Sequence, residues 1–389
     1  MKKLFTVLAA ALILAVLAGS AWAQATEPGP SAVLGGRIWT DIGYQGLSKE
    51  QTTNRRDDVT TALVQVSGHS YINGRFTSAD KTTGGLVEIN VVAKANDTEI
   101  VGLRYAYGWW KVGNCQLVAG QTDGWLGSLA YGPLTFFGVS QSQKTGLTNW
   151  GFIYSSRSPQ VRFEWRSGNF GFSVAAVQPA AEQATTIAGT DMYANLPRFD
   201  VAAEVKAGGF MTTPAFGWSQ LNYQGVTSGW ADDSYQTWIA MLPFKYTVGP
   251  FTAKVQLHTG INTEAEYAGE LPNAIGSAPR ILPVFSATGK LYDTKETGGS
   301  IALEYKVGAL MITAGYGQQR IENDFWKASN GYRNDSYDRR AWFLAMPYAV
   351  TKNFTVDPEV GYYMYGDSPQ TGADMGTEWL AGVQFKFLF

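Results

Sequence analysis

From Val33 onward apolar and polar residues alternate with period two, the pattern of strands whose two faces meet different surroundings. In Phe251 to His258, the residues Ala253, Val255 and Leu257 share one face, and Thr252, Lys254, Gln256 and His258 share the other. Ser300 to Tyr305 repeats the scheme, with Ile301, Leu303 and Tyr305 opposite Ala302 and Glu304. Glu99 to Trp110 groups Val101, Leu103, Tyr105, Tyr107 and Trp109 against Gly102, Arg104, Ala106 and Gly108. Short glycine- or asparagine-bearing tetrapeptides join such runs, as at Lys111 to Asn114, Arg166 to Asn169, Lys206 to Gly209, Thr247 to Pro250 and Lys306 to Ala309. Each reads as a hairpin turn.

Between the hairpins lie longer polar connections at 45–58, 123–158, 179–197, 223–234, 262–294, 321–338 and 366–377. Short turns on one rim and long loops on the other are the arrangement of an outer-membrane barrel, and a soluble sandwich has no reason to sort its loops this way. Counted through this scheme, sixteen strands run from 33–44 to 378–389. An even number brings both chain ends to the short-turn rim. The run 59–78 is long enough to hold a bulge, and Pro243, Pro347 and Pro358 fall inside strands, where a missing N–H disturbs the ladder. The expected fold is therefore all-β: a transmembrane antiparallel β-barrel with long extracellular loops.

The ends agree with export. Lys2 and Lys3 precede an uncharged apolar run, Leu4 to Leu17, and Ala21-Trp22-Ala23 offers a small-x-small cleavage site. Residues 1–23 read as a signal peptide, which leaves 24–389 as the mature barrel. No cysteine follows the cleavage site, which argues against a lipid anchor. No later apolar stretch has the length of a membrane-spanning helix. Formal charge is −2, and −4 once the two lysines are removed, a balance that offers nucleic acid no footprint. Cys115 is the only cysteine and excludes an intramolecular disulfide. At the other end Val383, Phe385, Phe387 and Phe389 alternate with Gln384, Lys386 and Leu388. This resembles the terminal strand signal by which outer-membrane proteins are recognised for assembly, with Phe385, Phe387 and Phe389 as its aromatic positions.

The polar faces place Arg37, Arg75, Glu88, Arg104, Arg162 and Glu164 in the lumen, since a charge on the lipid face costs about 2–4 kcal/mol at the midplane. A barrel of this size encloses water rather than packed side chains. The connection 123–158 is apolar for a surface loop: it carries Trp125, Leu126, Leu129, Tyr131, Leu134, Phe136 and Phe137 beside the charges Asp123, Lys144 and Arg157. Folding it into the mouth hides that surface and narrows the bore. The alternative is an extra hairpin turning at Gly132-Pro133.

The runs Ala106 to Gln121 and Ser156 to Arg162 resemble the segments flanking the inward-folded third loop of Gram-negative general-diffusion porins. The resemblance implies a trimeric, sixteen-stranded channel in the outer membrane. Its partners would be outer-membrane lipid, two further copies of the chain, and small hydrophilic solutes and ions. Porins often set an acidic third loop against a basic ladder. Here the loop is not acidic, so ion preference stays open. An enzyme is disfavoured, because His69 and His258 are the only histidines and no nucleophile motif accompanies them. Nothing calls for a metal or cofactor. A sleeve for a periplasmic electron carrier, or a structural or adhesive barrel, is the alternative that a conductance measurement separates from a porin.

Overall fold

At membrane depth a backbone N–H or C=O has no water to bond, so every strand needs a neighbour on both sides. The computed structural model describes residues 29–51, 57–67, 69–92, 100–126, 147, 150–155, 157–179, 190–225, 233–267, 283–286, 290–328 and 331–389. Among them, sixteen strands meet that requirement as one closed antiparallel barrel. The first half comprises β1 (Ser31–Leu47), β2 (Val59–Val66 with Tyr71–Thr77), β3 (Thr83–Val92), β4 (Ile100–Val112), β5 (Cys115–Thr122), β6 (Ser158–Ser167), β7 (Phe170–Val177) and β8 (Arg198–Ala207). The second comprises β9 (Phe210–Thr212 with Ala215–Gly225), β10 (Asp233–Val248), β11 (Phe251–Ile261), β12 (Thr294–Val307), β13 (Leu310–Asn323), β14 (Ser336–Ala345 with Tyr348–Thr351), β15 (Phe354–Met364) and β16 (Thr377–Leu388). Each pairs with the next, and β16 returns to β1 in a ladder from Arg37↔Leu388 to Leu47↔Glu378.

The short-turn rim is built as its sequence suggests. Gly113, Gly168, Gly208, Gly249 and Gly308 all take φ between 54° and 59°, a left-handed conformation that glycine enters without steric cost. Lys81 does the same at φ 60° in the turn between β2 and β3. Alternation then sorts the faces. Leu257 is 50 % exposed and Gln256 fully buried; Val161 is 55 % exposed and Arg162 nearly covered. The exposed face is apolar and turns to lipid, and the covered face is polar and turns inward.

Two irregularities re-aim side chains. Thr40 pairs with Val66 while Arg37 pairs with Tyr71, so residues 67–70 of the β2 strand stand opposite only Ile38 and Trp39. Ser70 Oγ accepts the Trp39 N–H at 3.0 Å and closes the gap. In β4, Glu88 faces Tyr105 and Ile89 faces Leu103, which leaves Arg104 as an extra residue. This bulge corrects the face expected for Tyr105, Tyr107 and Trp109: beyond Leu103 the register shifts by one, and the three rings turn inward with Arg104. Trp109 is buried and Trp110 is 55 % exposed, the reverse of a regular strand.

The prolines interrupt the ladder in pairs across neighbouring strands. The break in β9 at 213–214 lies beside Pro243, whose carbonyl accepts from Thr213 N at 3.3 Å. Pro347 breaks β14 between its two segments, and Pro358 of β15 accepts from Met346 N at 2.9 Å. At the seam, Phe389 and Gly36 exchange both backbone hydrogen bonds, at 3.0 and 3.1 Å. The Tyr71 carbonyl and the Phe389 ring together occupy the space a Gly36 side chain would need. Phe354 stacks against Phe387 at 4.7 Å and Phe385 at 6.5 Å. Gly36→Val is expected to dislodge the terminal ring and destabilise the barrel by about 1–3 kcal/mol. Urea unfolding in lipid vesicles measures this, and an unchanged midpoint would show that the ring contributes nothing to closure.

Candidate pore and its inward loop

Cys115↔Trp165 through Thr122↔Ser158 pair β5 directly with β6, so no additional hairpin stands in the wall between them. The connection instead enters the barrel at both of its described ends. Against β6 to β9, Leu126 is buried, and a side chain at Gly217 would collide with it. Trp125 Nε1 donates to Glu164 Oε1 at 3.1 Å, with the Arg166 guanidinium 4.4 Å from its ring centroid. Against β11 to β15, Ile153 N donates to Gln256 Oε1 at 2.6 Å and its carbonyl accepts from Gln256 Nε2 at 3.2 Å. Phe136, Phe137 and Lys144 lie outside the described residues.

The second contact has a seat prepared in the wall. Gly151, at φ 98°, comes against Gly299 of β12 and the backbone of Gln318 in β13. Gly317 lies directly under the Trp150 carbonyl, where a Cβ has no room. The Trp150 ring then fills a box formed by Tyr363 at 5.1 Å, Tyr365 at 5.0 Å and the Arg339 guanidinium at 5.5 Å. Leu147, Phe152, Tyr337 and Phe343 complete this apolar cluster inside the barrel. One side of the interior is therefore packed.

The other side, along β1 to β6, carries the six charges read from the sequence. Arg104 Nε meets Glu88 Oε1 at 2.7 Å, and Arg162 Nε meets Glu164 Oε1 at 2.7 Å, all four side chains buried. Arg162 also donates to the Asp123 carbonyl at 2.6 Å, which ties the start of the loop to the wall. The Asp123 carboxylate accepts from the Tyr105 hydroxyl and, at 2.7 Å, from Tyr154. Burial, then the Asp123 charge, hold the Tyr154 phenol above its usual range. Arg157 lies over the Tyr105 ring at 5.3 Å.

Arg37 and Arg75 are held differently. Arg37 Nε donates to the His69 carbonyl at 2.7 Å, and its guanidinium lies 3.9 Å from the Trp39 centroid and 4.5 Å from that of Tyr71. Arg75 lies 5.2 Å over Trp109. Among the described residues no carboxylate pairs with either arginine. Of the four arginines among the six charges named from the sequence, only these two are backed by rings rather than by acids. Tyr105, Tyr107 and Trp109 follow one another at 6.2 and 6.0 Å beside them, an inward ladder that strict alternation hid.

A protein-family model described as Gram-negative porin matches residues 9–368. No curated protein sequence matches the chain. Among solved structures, the outer membrane channel DcaP of Acinetobacter baumannii superposes with a TM-score of 0.71 at 17 % identity, covering 93 % of this chain and 98 % of that one. An anion-selective porin from Comamonas acidovorans gives 0.63 at 11 % identity, covering 92 % and 100 %. The trimer form of OmpT, an outer membrane protein of Vibrio cholerae, gives 0.57 at 13 %, covering 93 % and 100 %. At such identities the likeness is one of fold.

The seat for the loop is testable without touching its sequence. Gly317→Val should expel Trp150 from its box while the ladders of β12, β13 and β14 stay closed. Single-channel conductance and the largest permeant sugar should both rise. A folded variant with unchanged conductance would show that the loop's position is set elsewhere.

Proposed function

Because the chain belongs to the Gram-negative porin family, we propose that its outer-membrane diffusion channel favours anions and that Arg37 and Arg75 set this preference. The channel passes ions and small hydrophilic solutes passively. Its ion preference depends on which lumen charges remain uncancelled at the water-filled side.

One observation carries the reading: the two arginines are positioned by aromatic faces and a backbone carbonyl. A carboxylate partner fixes an arginine but cancels its field a few ångströms away. An aromatic face fixes it through its quadrupole and leaves the net charge in place. Arg104 and Arg162 take the first kind of partner. In this reading they are struts that hold β3 to β6 and the loop base, and they contribute little to selectivity. Removing Arg104 would leave Glu88 without its ion-pair partner at a cost of about 3–5 kcal/mol, whereas Glu164 also pairs with Arg166 at 2.7 Å. Asp123, Trp125 and Arg157 edge the constriction in this reading.

The assignment extends to the whole life of the chain. Residues 1–23 direct export, and 24–389 insert as the barrel, with Phe385, Phe387 and Phe389 as the signal read at assembly. The working unit is a homotrimer, as in the Vibrio cholerae relative described in trimer form. The protein performs no catalysis and needs no cofactor.

Reconstituted protein should give stepwise, ohmic currents in a planar bilayer and a reversal potential on the anion side in a salt gradient. A unit charge about 5 Å from the ion path in water contributes ~0.8 kcal/mol. Replacing both Arg37 and Arg75 by Gln should therefore lower the anion-to-cation permeability ratio by about tenfold or more at low salt, and less as salt screens the site. A wild-type channel that prefers cations, or a double variant with an unchanged ratio, would overturn the assignment.

A further inference from the structure

Tyr267 belongs to the connection after β11, beyond the end of the strand, yet its side chain is 1 % exposed. The inward course begins at Asn262, which takes φ 53° and ψ 33°, a left-handed conformation that asparagine enters more readily than most residues with a side chain. Its amide holds that conformation in place. Nδ2 donates to the Gln236 carbonyl at 3.0 Å and to Asp293 Oδ1 at 2.8 Å, and Oδ1 accepts from Thr294 N at 2.9 Å. One 3-10 turn follows, Thr263–Ala265, and Tyr267 N donates to the Thr263 carbonyl at 2.7 Å. Thr263 and Glu266 are buried with it, so this second connection also folds into the barrel.

The turn meets the constriction loop there. The Arg198 guanidinium of β8 donates to the Glu266 carbonyl at 2.6 Å and lies 5.0 Å from the Tyr267 centroid. A Cβ on Gly217 of β9 would stand 2.6 Å from the Tyr267 ring and 2.8 Å from Leu126. The two side chains therefore share one socket, which exists because Gly217 has no side chain. The same apolar cluster contains Ile153. Leu126 lies where the loop 123–158 leaves the wall, and Ile153 where it returns. The Tyr267 hydroxyl has no hydrogen-bond partner among the described residues, so the ring acts there by shape.

We propose that Tyr267 is a positioning residue for the constriction: it clamps both ends of the inward loop, so that two connections set the bore. The proposal rests on the diffusion-channel reading above and is independent of its ion preference. Without the ring, Leu126 faces a half-empty socket and loses contacts that nothing else replaces. The loop base then gains freedom, while the strand ladders, which use backbone groups alone, stay closed.

The test pairs single-channel recording with hydrogen exchange on the folded full-length barrel, reading the amides around Leu126 and Ile153. Tyr267→Ala should raise conductance and speed exchange at both loop ends, while the ladders of β9 and β11 stay protected. Tyr267→Phe should match the wild type in both, since only the unpartnered hydroxyl is lost. Leu126→Ala should resemble Tyr267→Ala, and the double variant should conduct little more than either, because all three empty one socket. Tyr267→Leu, with a smaller loss of volume, should fall between Phe and Ala and replaces the alanine variant if that one does not fold. Folded Ala or Leu protein with wild-type conductance and exchange would overturn the proposal. So would a Phe variant as open as the Ala variant, or a double variant in which the two effects add. A wild-type barrel that conducts nothing would overturn the channel reading instead, and the exchange comparison would still decide the role of Tyr267.

Discussion

The ladder between β1 and β16 is the constraint on which everything else depends. A sheet with a free edge cannot stay in hydrocarbon, because each unpaired backbone group there costs several kcal/mol. Closing the sheet turns sixteen individually weak strands into one cooperative wall. The wall can then absorb local faults, such as the two-residue bulge in β2 and the paired proline interruptions, without losing its continuity. Those faults sit where adjacent strands fail together, so each missing N–H is matched by a neighbour that does not demand it.

Inside this wall the molecule is divided. On the β8 to β15 side the loop and the wall make an apolar core of the kind that a soluble protein keeps at its centre. On the β1 to β6 side arginines, acids and rings face water. The division follows from one chain segment: what the loop covers becomes core, and what it leaves uncovered becomes the solute path. Charges on the covered side are tied up in dense networks, as with Arg198, which donates to Asp200 at 2.9 Å and to the Glu266 carbonyl at 2.6 Å. Arg339, also on that side, is held by the Gln319 amide and the Trp150 ring.

The barrel was legible in the sequence because its two signals, alternation and turn spacing, are local. Both are written into every hairpin, and sixteen repetitions average out individual errors. The inward faces of β6 and β11 could be read residue by residue for the same reason. What could not be read depended on registry between strands. The extra residue at Arg104 leaves no mark in its own strand, yet it reverses Tyr105, Tyr107 and Trp109. The partners of the six lumen charges were equally invisible, since Glu88 and Arg104 are neighbours only through the β3 and β4 pairing. The seat for the loop did leave a trace: glycines at 299 and 317, in the middle of two adjacent strands, are poor strand formers and mark the close approach of the loop backbone at Gly151 and Trp150.

That seat has an evolutionary consequence. Its glycines contribute shape and no chemistry, so the wall accepts the loop's backbone at Trp150 and Gly151 while leaving the identity of the intervening residues unspecified. Bore and wall are thereby separately heritable. In the reading proposed above, mutations between the two anchors at Asp123 and Trp150 alter what passes without disturbing how the barrel folds. A lineage can retune its permeability through one segment and keep the scaffold unchanged.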